Sequence, residues 1–254
     1  DNTVTPSVKD IIKKIKDGIK PLIICIDGFL TQDAPKAKDE WKSGIDKKYP
    51  ENEVFYVSWE SKRLRDIAVS MSFLLARAAV KMGPLGAAFQ ALDLATNPWS
   101  VASTKADPTG VLLADIISRT NQEYILIGHS LGARVIYSCL RALKTKKDKI
   151  FIDSVHLLGG AVSNACTDGG NKTGVNWEGL EKCVSNKITN YYTENDDVLR
   201  YLYKVGEGIK LEFGNPIGRY EIDEEMSGIH NEPVSDYVSG HAEYKKNIHK
   251  FLIP

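Results

Sequence analysis

The chain has 254 residues, and its hydrophobic and charged fractions, 43% and 26%, are those of an ordinary globular protein, which excludes the collagen-like, disordered and disulfide-scaffold classes. Its 33 basic and 33 acidic side chains cancel, so no net charge attracts the chain to nucleic acid. We find no internal repeat and no interdomain linker, which predicts one domain over residues 1–254.

The first elements predict an α/β protein. Isoleucines at helical spacing against a lysine face predict an amphipathic helix that begins after Ser7 and ends near Gly18. The continuous apolar run at residues 22–26 is typical of a strand buried on both faces. A helix around Trp41 and a strand at residues 53–59 follow. Strand, helix and strand without a hairpin turn indicate a parallel sheet.

Residues 64–94 form a long segment rich in Ala, Leu, Ile, Val and Met, which a Gly-Pro pair at residues 83–84 divides into two helical pieces. Charged side chains interrupt both pieces, whereas a membrane-spanning helix needs about 20 predominantly apolar residues. We therefore expect a helical insertion over residues 64–95, ahead of the next strand, and prefer a buried helical hairpin. A lid or lipid-facing insertion is the alternative.

The remaining periodicities predict further helices and strands in alternation. We expect helices at residues 110–119, 133–143 and 177–183, strands at 123–127, 154–158 and 188–193, and a terminal helix. The predicted fold is therefore a mostly parallel central sheet flanked by helices.

The pentapeptide GHSLG at residues 128–132 is the chemically most informative pattern. A GxSxG sequence alone arises easily by chance, but here an apolar strand precedes it and an apolar-periodic helix follows it. That setting is typical of a nucleophile elbow, in which a tight strand-to-helix turn presents the serine hydroxyl above the sheet. The sequence therefore predicts that Ser130 is a nucleophile.

A serine hydroxyl needs a base to accept its proton, and in this fold the acid and the histidine follow the serine in that order. His129 is too close to the nucleophile, and His156 lies inside an apolar strand and precedes the acid. His241 lies in a polar segment just before the terminal helix, which favours it as the base. His230, in a loop, and His249, on the helix surface, are the alternatives.

The acid should leave the carboxyl end of a strand, because the rim of a parallel sheet is formed there. Asp196 follows the predicted strand at residues 188–193 and is our choice. Its neighbour Asp197 remains the alternative. Either acid could instead serve as a helix cap.

Stabilisation of an oxyanion requires amide donors, commonly the one after the nucleophile and one from the loop after an early strand. Those are the amides of Leu131 and Phe29, and Gly28 allows the backbone to approach closely. We find no metal-ligand cluster, phosphate loop or dinucleotide fingerprint, so no cofactor and no metal are predicted.

The four cysteines do not determine the cellular compartment of the protein. Cys25 and Cys139 lie in apolar runs and are predicted to be buried thiols, whereas Cys166 and Cys183 flank a polar stretch and would pair in an oxidising compartment. The start of the chain lacks a signal-peptide pattern. We expect a cytoplasmic or exported protein, with peripheral membrane contact as an option.

These motifs together resemble those of the lipase-like α/β-hydrolases. More closely, the chain resembles the poorly characterised family of transmembrane and coiled-coil domain-containing hydrolase-like proteins. The matching segments are LIGHSLGARVIY at 126–137, LGGAVS at 158–163, NDDVL at 195–199 and VSGHAEY at 238–244. The resemblance implies an α/β-hydrolase fold with Ser130, Asp196 and His241 as the triad.

This chain departs from that family in two places. Eukaryotic members have membrane-spanning segments about where residues 64–94 lie here, and close relatives often have Tyr at the position of His129. These departures favour a soluble or peripheral protein over an integral one.

The functional prediction is a serine esterase or lipase that acts through an acyl-serine intermediate. The apolar insertion favours a lipid ester, including a phospholipid, as substrate. A catalytically silent binding or trafficking module is the alternative, because a fold does not establish an activity. Hydrolysis of an amide or thioester is a third hypothesis.

Overall fold

In the computed structural model, one sheet organises the chain. The structure describes residues 12–28, 37–57, 59, 98–146, 152–166, 175–200 and 215–254. Among them, seven strands contribute to the sheet: β1 (Ile12–Lys16), β2 (Ile19–Ile26), β3 (Asn52–Val57), β4 (Tyr124–His129), β5 (Ile152–Leu158), β6 (Ile188–Tyr192) and β7 (His230–Pro233).

The strand order in the sheet is β1-β3-β2-β4-β5-β6-β7. Strands β2 to β7 run parallel to one another, and β1 pairs with β3 in the antiparallel direction. The carboxyl ends of the parallel strands therefore meet at one edge. Loops that leave this edge are the usual location of a functional site in an open α/β sheet.

Helices cover both faces of the sheet. They are α1 (Ala37–Lys48), α2 (Pro98–Arg119), α3 (Leu131–Lys144), the single turn α4 (Glu224–Ser227) and α5 (Tyr244–Phe251). One apolar core packs α2 and α3 on one face, and a second core packs α1 and α5 on the other. The predicted α/β architecture, with a mostly parallel sheet flanked by helices, is thereby confirmed.

Strand β4 shows why continuous apolar runs in the sequence correctly predicted the parallel strands. All six of its residues are buried, because β2 and β5 flank it and helices cover its faces. A strand in that position has no solvent-facing side, so its sequence does not alternate. The predicted strands at 22–26, 53–59, 154–158 and 188–193 are found as β2, β3, β5 and β6, with shifted ends.

The predicted opening helix is wrong over the residues that the structure describes. Residues Ile12–Lys16 form β1, which pairs with β3, and β2 begins at Ile19. Gly18 turns the chain between them, in a place where a Cβ atom would lie 2.2 Å from the carbonyl oxygen of Glu51. The isoleucine spacing fits a helix, but the free edge of β3 offers backbone hydrogen bonds to an extended segment.

Two further elements differ from the prediction. The expected helix at 177–183 is a turn that ends in a short 3-10 helix, Glu181–Cys183. The Trp177 indole there is buried and donates to the carbonyl of Ser163 at 2.7 Å, so the ring anchors a turn rather than a helix face. His230 lies on strand β7 rather than in a loop, because this segment pairs with β6.

The insertion predicted over residues 64–95 lies outside the described residues. In the part of the chain that the structure describes, no helix combines the length and the apolar character needed to span a membrane.

Candidate active site

Ser130 lies on the turn between β4 and α3 with φ 57° and ψ −120°. Positive φ is sterically unfavourable for a residue with a side chain and persists only where the surroundings enforce it. Here the Ser130 amide donates to the carbonyl of Leu158 at 3.0 Å, and its carbonyl accepts from the amides of Ala133 and Ala161 at 3.1 and 3.0 Å. The turn is therefore held from both β5 and α3.

Two glycines allow the close packing around this turn. A Cβ atom on Gly28 would lie 2.4 Å from the Cβ atom of Ser130, and one on Gly132 would lie 2.1 Å from the carbonyl oxygen of Ile26. Real Cβ atoms do not approach so closely, so the backbones after β2 and at the start of α3 can meet only because these residues are glycines. The Ser130 turn therefore packs directly against the end of β2.

Three loops at the carboxyl edge bring Ser130, His241 and Asp196 together. His241 Nε2 lies 2.9 Å from Ser130 Oγ, and His241 Nδ1 lies 2.6 Å from Asp196 Oδ2. With the hydrogen on Nδ1 donated to the carboxylate, Nε2 is free to accept the proton of the serine hydroxyl. The arrangement is a continuous hydrogen-bonded chain of acid, imidazole and hydroxyl.

The adjacent acids Asp196 and Asp197 have opposite surroundings. Asp196 is fully buried, and its second carboxylate oxygen accepts a hydrogen bond from the Leu199 amide at 3.0 Å. The Arg219 guanidinium donates to the Asp196 carbonyl at 2.8 Å and secures the loop. The Asp197 side chain is 85% exposed, 3.8 Å from Arg200. The structure thus brings Asp196, and not its neighbour, to His241.

The side chain of His129 contacts the backbone of His241, which the sequence did not indicate. Its Nε2 atom donates to the His241 carbonyl at 2.9 Å, and the two ring centroids are 4.8 Å apart. Burial, followed by the nearby charges of His241 and Lys245, holds the pKa of His129 well below its usual value. A neutral imidazole therefore braces the turn that carries His241.

Other histidines lie apart from this chain of hydrogen bonds. His156 is buried in β5 and contacts the hydroxyls of Tyr49 and Tyr191 at 3.3 and 3.2 Å. Its burial lowers the pKa of His156 to about 3. His230 is partly exposed, 3.4 Å from Glu232.

The structure describes only one of the two predicted oxyanion donors. Leu131 is fully buried and is the first residue of α3, so its amide belongs to the unsatisfied N-terminal turn of a helix, where partial positive charge accumulates. Phe29 lies outside the described residues. The preceding Gly28 lies directly against Ser130.

All four cysteines are free thiols. The Cys166 thiol donates to the carbonyl of Asn164 at 3.6 Å, and the Cys183 thiol donates to the carbonyl of Leu140 at 3.7 Å, so each has a separate partner. Among the described residues, no three His, Cys, Asp or Glu side chains are grouped in a way that could hold a metal ion.

Comparisons with known proteins place the chain in a family. A family model described as "Protein of unknown function (DUF726)" matches residues 84–253. Transmembrane and coiled-coil domain-containing protein STS1 of Oryza sativa subsp. japonica is 28% identical over 245 residues, which are 87% of this chain and 34% of that protein. Probable lipase MIL1 of Saccharomyces cerevisiae is 33% identical over 162 residues, 61% of this chain and 14% of that protein. The chain thus spans a minor part of both relatives.

Among solved structures, α/β hydrolase domain-containing protein 10 from mouse aligns with 94% of this chain and 89% of its own, at 13% identity and a TM-score of 0.41. The family match confirms the resemblance that the motifs around residues 126–244 indicate. Since the family model covers well over half of the chain, the protein belongs to the family described as "Protein of unknown function (DUF726)". Its mostly parallel sheet, with the strand-turn-helix at Ser130, has the architecture of the α/β-hydrolase fold.

Proposed function

We propose that the chain is a serine hydrolase that cleaves a carboxylic ester through an acyl-serine intermediate. The hydrogen-bonded chain from Asp196 through His241 to Ser130 carries this proposal. An imidazole in contact with both a buried carboxylate and a serine hydroxyl on a strained turn is the arrangement that activates a serine. The strain at Ser130 supports the same role, since strained residues concentrate at functional sites.

In the proposed reaction, Ser130 Oγ forms a bond to the ester carbonyl carbon while His241 Nε2 takes the hydroxyl proton. The tetrahedral intermediate collapses, the bond to the leaving alkoxide breaks, and His241 returns the proton to that alkoxide. Water then repeats both steps on the acyl-serine and releases the acid. Asp196 stabilises the imidazolium that forms in each half of the reaction.

Negative charge develops on the carbonyl oxygen during both steps. The amide of Leu131, at the N-terminus of α3, is the first proposed donor to this oxyanion. The amide of Phe29 is the second proposed donor. Removal of one such donor typically costs a factor of about 10² to 10³ in kcat.

We further propose a lipid ester, including a phospholipid, as the substrate class. The yeast relative is named a probable lipase. The apolar composition of residues 64–94 favours the same class. The rice relative is named a transmembrane and coiled-coil domain-containing protein, which supports contact with a membrane.

Active-site labelling tests the catalytic proposal. A fluorophosphonate probe at saturating concentration should add one adduct to the chain, which intact-mass spectrometry detects and peptide mapping places on Ser130. The variant Ser130→Ala should not be labelled. Ser138→Ala is a matched control, because Ser138 is also buried but donates to Asp107 at 2.7 Å. Folded protein without an adduct on Ser130 would instead support a catalytically silent binding module.

A panel of 4-nitrophenyl esters with acyl chains of increasing length, together with a phospholipid in vesicles, tests the substrate class. A lipase should have its highest kcat/KM on the long chains, and activity should vanish in Ser130→Ala. Turnover confined to short soluble esters would contradict the lipid proposal while leaving the esterase proposal intact.

A further inference from the structure

Asp27 is a fully buried carboxylate at the end of β2, and donors from three separate elements converge on it. The indole of Trp41 in α1 donates to Oδ1 at 3.0 Å, and the hydroxyl of Tyr56 in β3 donates to Oδ2 at 2.9 Å. The ammonium group of Lys245 in α5 donates to Oδ1 at 3.1 Å. The Asp27 carbonyl accepts from the indole of Trp59 at 2.8 Å. Both oxygens of this buried carboxylate, and the carbonyl of the same residue, therefore have hydrogen-bond donors.

Lys245 is the charged partner in this cluster, and its side chain is only 2% exposed. Besides Asp27, it contacts Glu40 at 3.3 Å and lies over the ring of Trp41 at 5.8 Å. Burial of a lysine is costly unless it is paired, and breaking a buried pair leaves an uncompensated charge. The mechanism described above uses neither member of this pair.

The pair joins the two segments that meet at the nucleophile. Asp27 directly precedes Gly28, whose Cβ position would lie 2.9 Å from Ser130 Oγ. Lys245 follows His241 within the same continuous turn and helix, His241–Glu243 and α5. The ion pair therefore spans 218 residues of sequence and connects the turn after β2 with the segment that carries the base.

We propose that Asp27 and Lys245 are positioning residues of the site: their contact holds the turn after β2 against the His241 segment, and Lys245 cancels the negative charge of Asp27 beside the nucleophile. The inference rests on the proposed serine-hydrolase function. An unbalanced carboxylate there would oppose the negative charge that develops on the substrate oxygen. A neutral pair keeps the geometry without that opposing field.

Several charged or titratable groups belong to the segments that pack around His241. Asp196 contacts its ring, and Arg219 binds the Asp196 backbone. His129 lies beside the ring but is kept neutral. Glu243 caps the His241 turn through Ser239, and the hydroxyl of Tyr244 contacts the Gly218 carbonyl. The charges of Asp27 and Lys245 act in addition to these groups, with opposite signs.

The test compares the His241 pKa in four proteins. NMR titration of the imidazole, assigned with a His241→Gln variant, and the lower limb of the pH profile of kcat/KM both measure it. Lys245→Met leaves the Asp27 charge and should raise the pKa of His241, whereas Asp27→Asn should lower it. Asp27→Asn/Lys245→Met should return it close to the parent value. A unit charge within about 10 Å at a partly buried site shifts a pKa by about one unit.

A purely structural role would produce no such pattern, because loss of packing has no reason to shift the pKa in opposite directions. If Lys245→Met does not fold, Asp27→Asn and the double variant still form the test, since in Asp27→Asn the lysine retains Glu40. Lys16→Met and Asp46→Asn are matched controls. Each removes one member of an ion pair of similar length, 2.9 Å, which connects α1 with the edge strand β1 and not the two segments that meet at Ser130. Neither control should move the His241 pKa.

Labelling of Ser130, the pKa of His241 and kcat together distinguish the ion-pair proposal from the hydrolase proposal. If the parent protein is labelled on Ser130 and the charge variants fold but leave the His241 pKa unchanged, the inference about the ion pair is wrong and the hydrolase proposal stands. If the opposing shifts occur, kcat should also fall about tenfold in Lys245→Met, because an effect equivalent to one pKa unit on the transition state is a factor of ten in rate, with KM little changed. A parent protein that is not labelled would overturn both proposals.

Discussion

At the scale of single residues, burial distinguishes groups that the sequence places side by side. Asp196 and Asp197 are adjacent and chemically identical, yet one carboxylate is fully buried against His241 and the other is 85% exposed. A buried carboxylate in contact with an imidazole stabilises the imidazolium strongly, because water does not screen the interaction. An exposed carboxylate contributes little at that distance.

We therefore expect unequal effects from two identical substitutions. Asp196→Asn should lower kcat by about 10³- to 10⁴-fold, because the amide no longer favours the productive tautomer of His241 or stabilises its charge. Asp197→Asn should change kcat by less than about threefold. Steady-state kinetics on one activated ester, with thermal unfolding as a check on folding, measures both. Comparable losses in the two variants would contradict the assignment of Asp196.

At the scale of elements, the packing of α2 against α3 supports the Ser130 turn from outside. The helices approach at Gly110, where a Cβ atom would lie 2.3 Å from the carbonyl oxygen of Val135. Beside this contact, Arg134 binds Asp107 through two nitrogens, at 3.1 and 2.9 Å. Since α3 begins at Leu131, any displacement of this helix is transmitted to the elbow.

Gly110→Ala tests the close approach. In an isolated helix, alanine is better than glycine by about 1 kcal/mol, so a substitution without steric conflict should stabilise the protein. Here we expect a loss of about 1–3 kcal/mol in the free energy of unfolding, because the helices must separate. Val111→Ala is the neighbouring control, with a side chain that is 55% exposed. Urea unfolding measures both, and a stabilised Gly110→Ala variant would exclude the tight crossing.

At the scale of the whole molecule, the sheet buries polar groups together with its apolar core. His156 lies in the middle of this sheet, between the hydroxyls of Tyr49 and Tyr191. Burial lowers its pKa in the folded state to about 3, whereas in the unfolded chain the pKa is about 6.5. Between these values the unfolded state binds more protons, so folding stability decreases as the pH falls through this range.

We predict that one substitution reduces the dependence of the free energy of unfolding on pH. Between pH 7 and pH 5, His156 should account for a loss of about 2 kcal/mol in the free energy of unfolding. His156→Gln, which keeps polar groups but does not titrate, should lose about 2 kcal/mol less than the parent over the same interval. Urea unfolding at the two pH values measures the difference. Equal slopes in the parent and in His156→Gln would contradict the burial argument.

The sequence by itself determined the local chemistry at the centre of the fold. Strand β4, the turn at Ser130 and helix α3 are contiguous, and apolar runs and glycines specify each of them through short-range sterics. The order of serine, acid and histidine then limited the partners to a few candidates. At the edge of the sheet, the spacing of apolar residues did not distinguish a strand from a helix, because the isoleucines of β1 fit a helix equally well.

Only the tertiary structure decided which candidates meet. The choice of Asp196 over Asp197 depends on which carboxylate the β6 loop turns inward, and the brace from His129 to the His241 carbonyl joins residues 112 positions apart. The contact between Asp27 and Lys245 likewise depends on the docking of α5 beside β2. The physical reason is that backbone sterics act between neighbours, whereas burial and charge pairing depend on packing between distant segments, which no local pattern encodes.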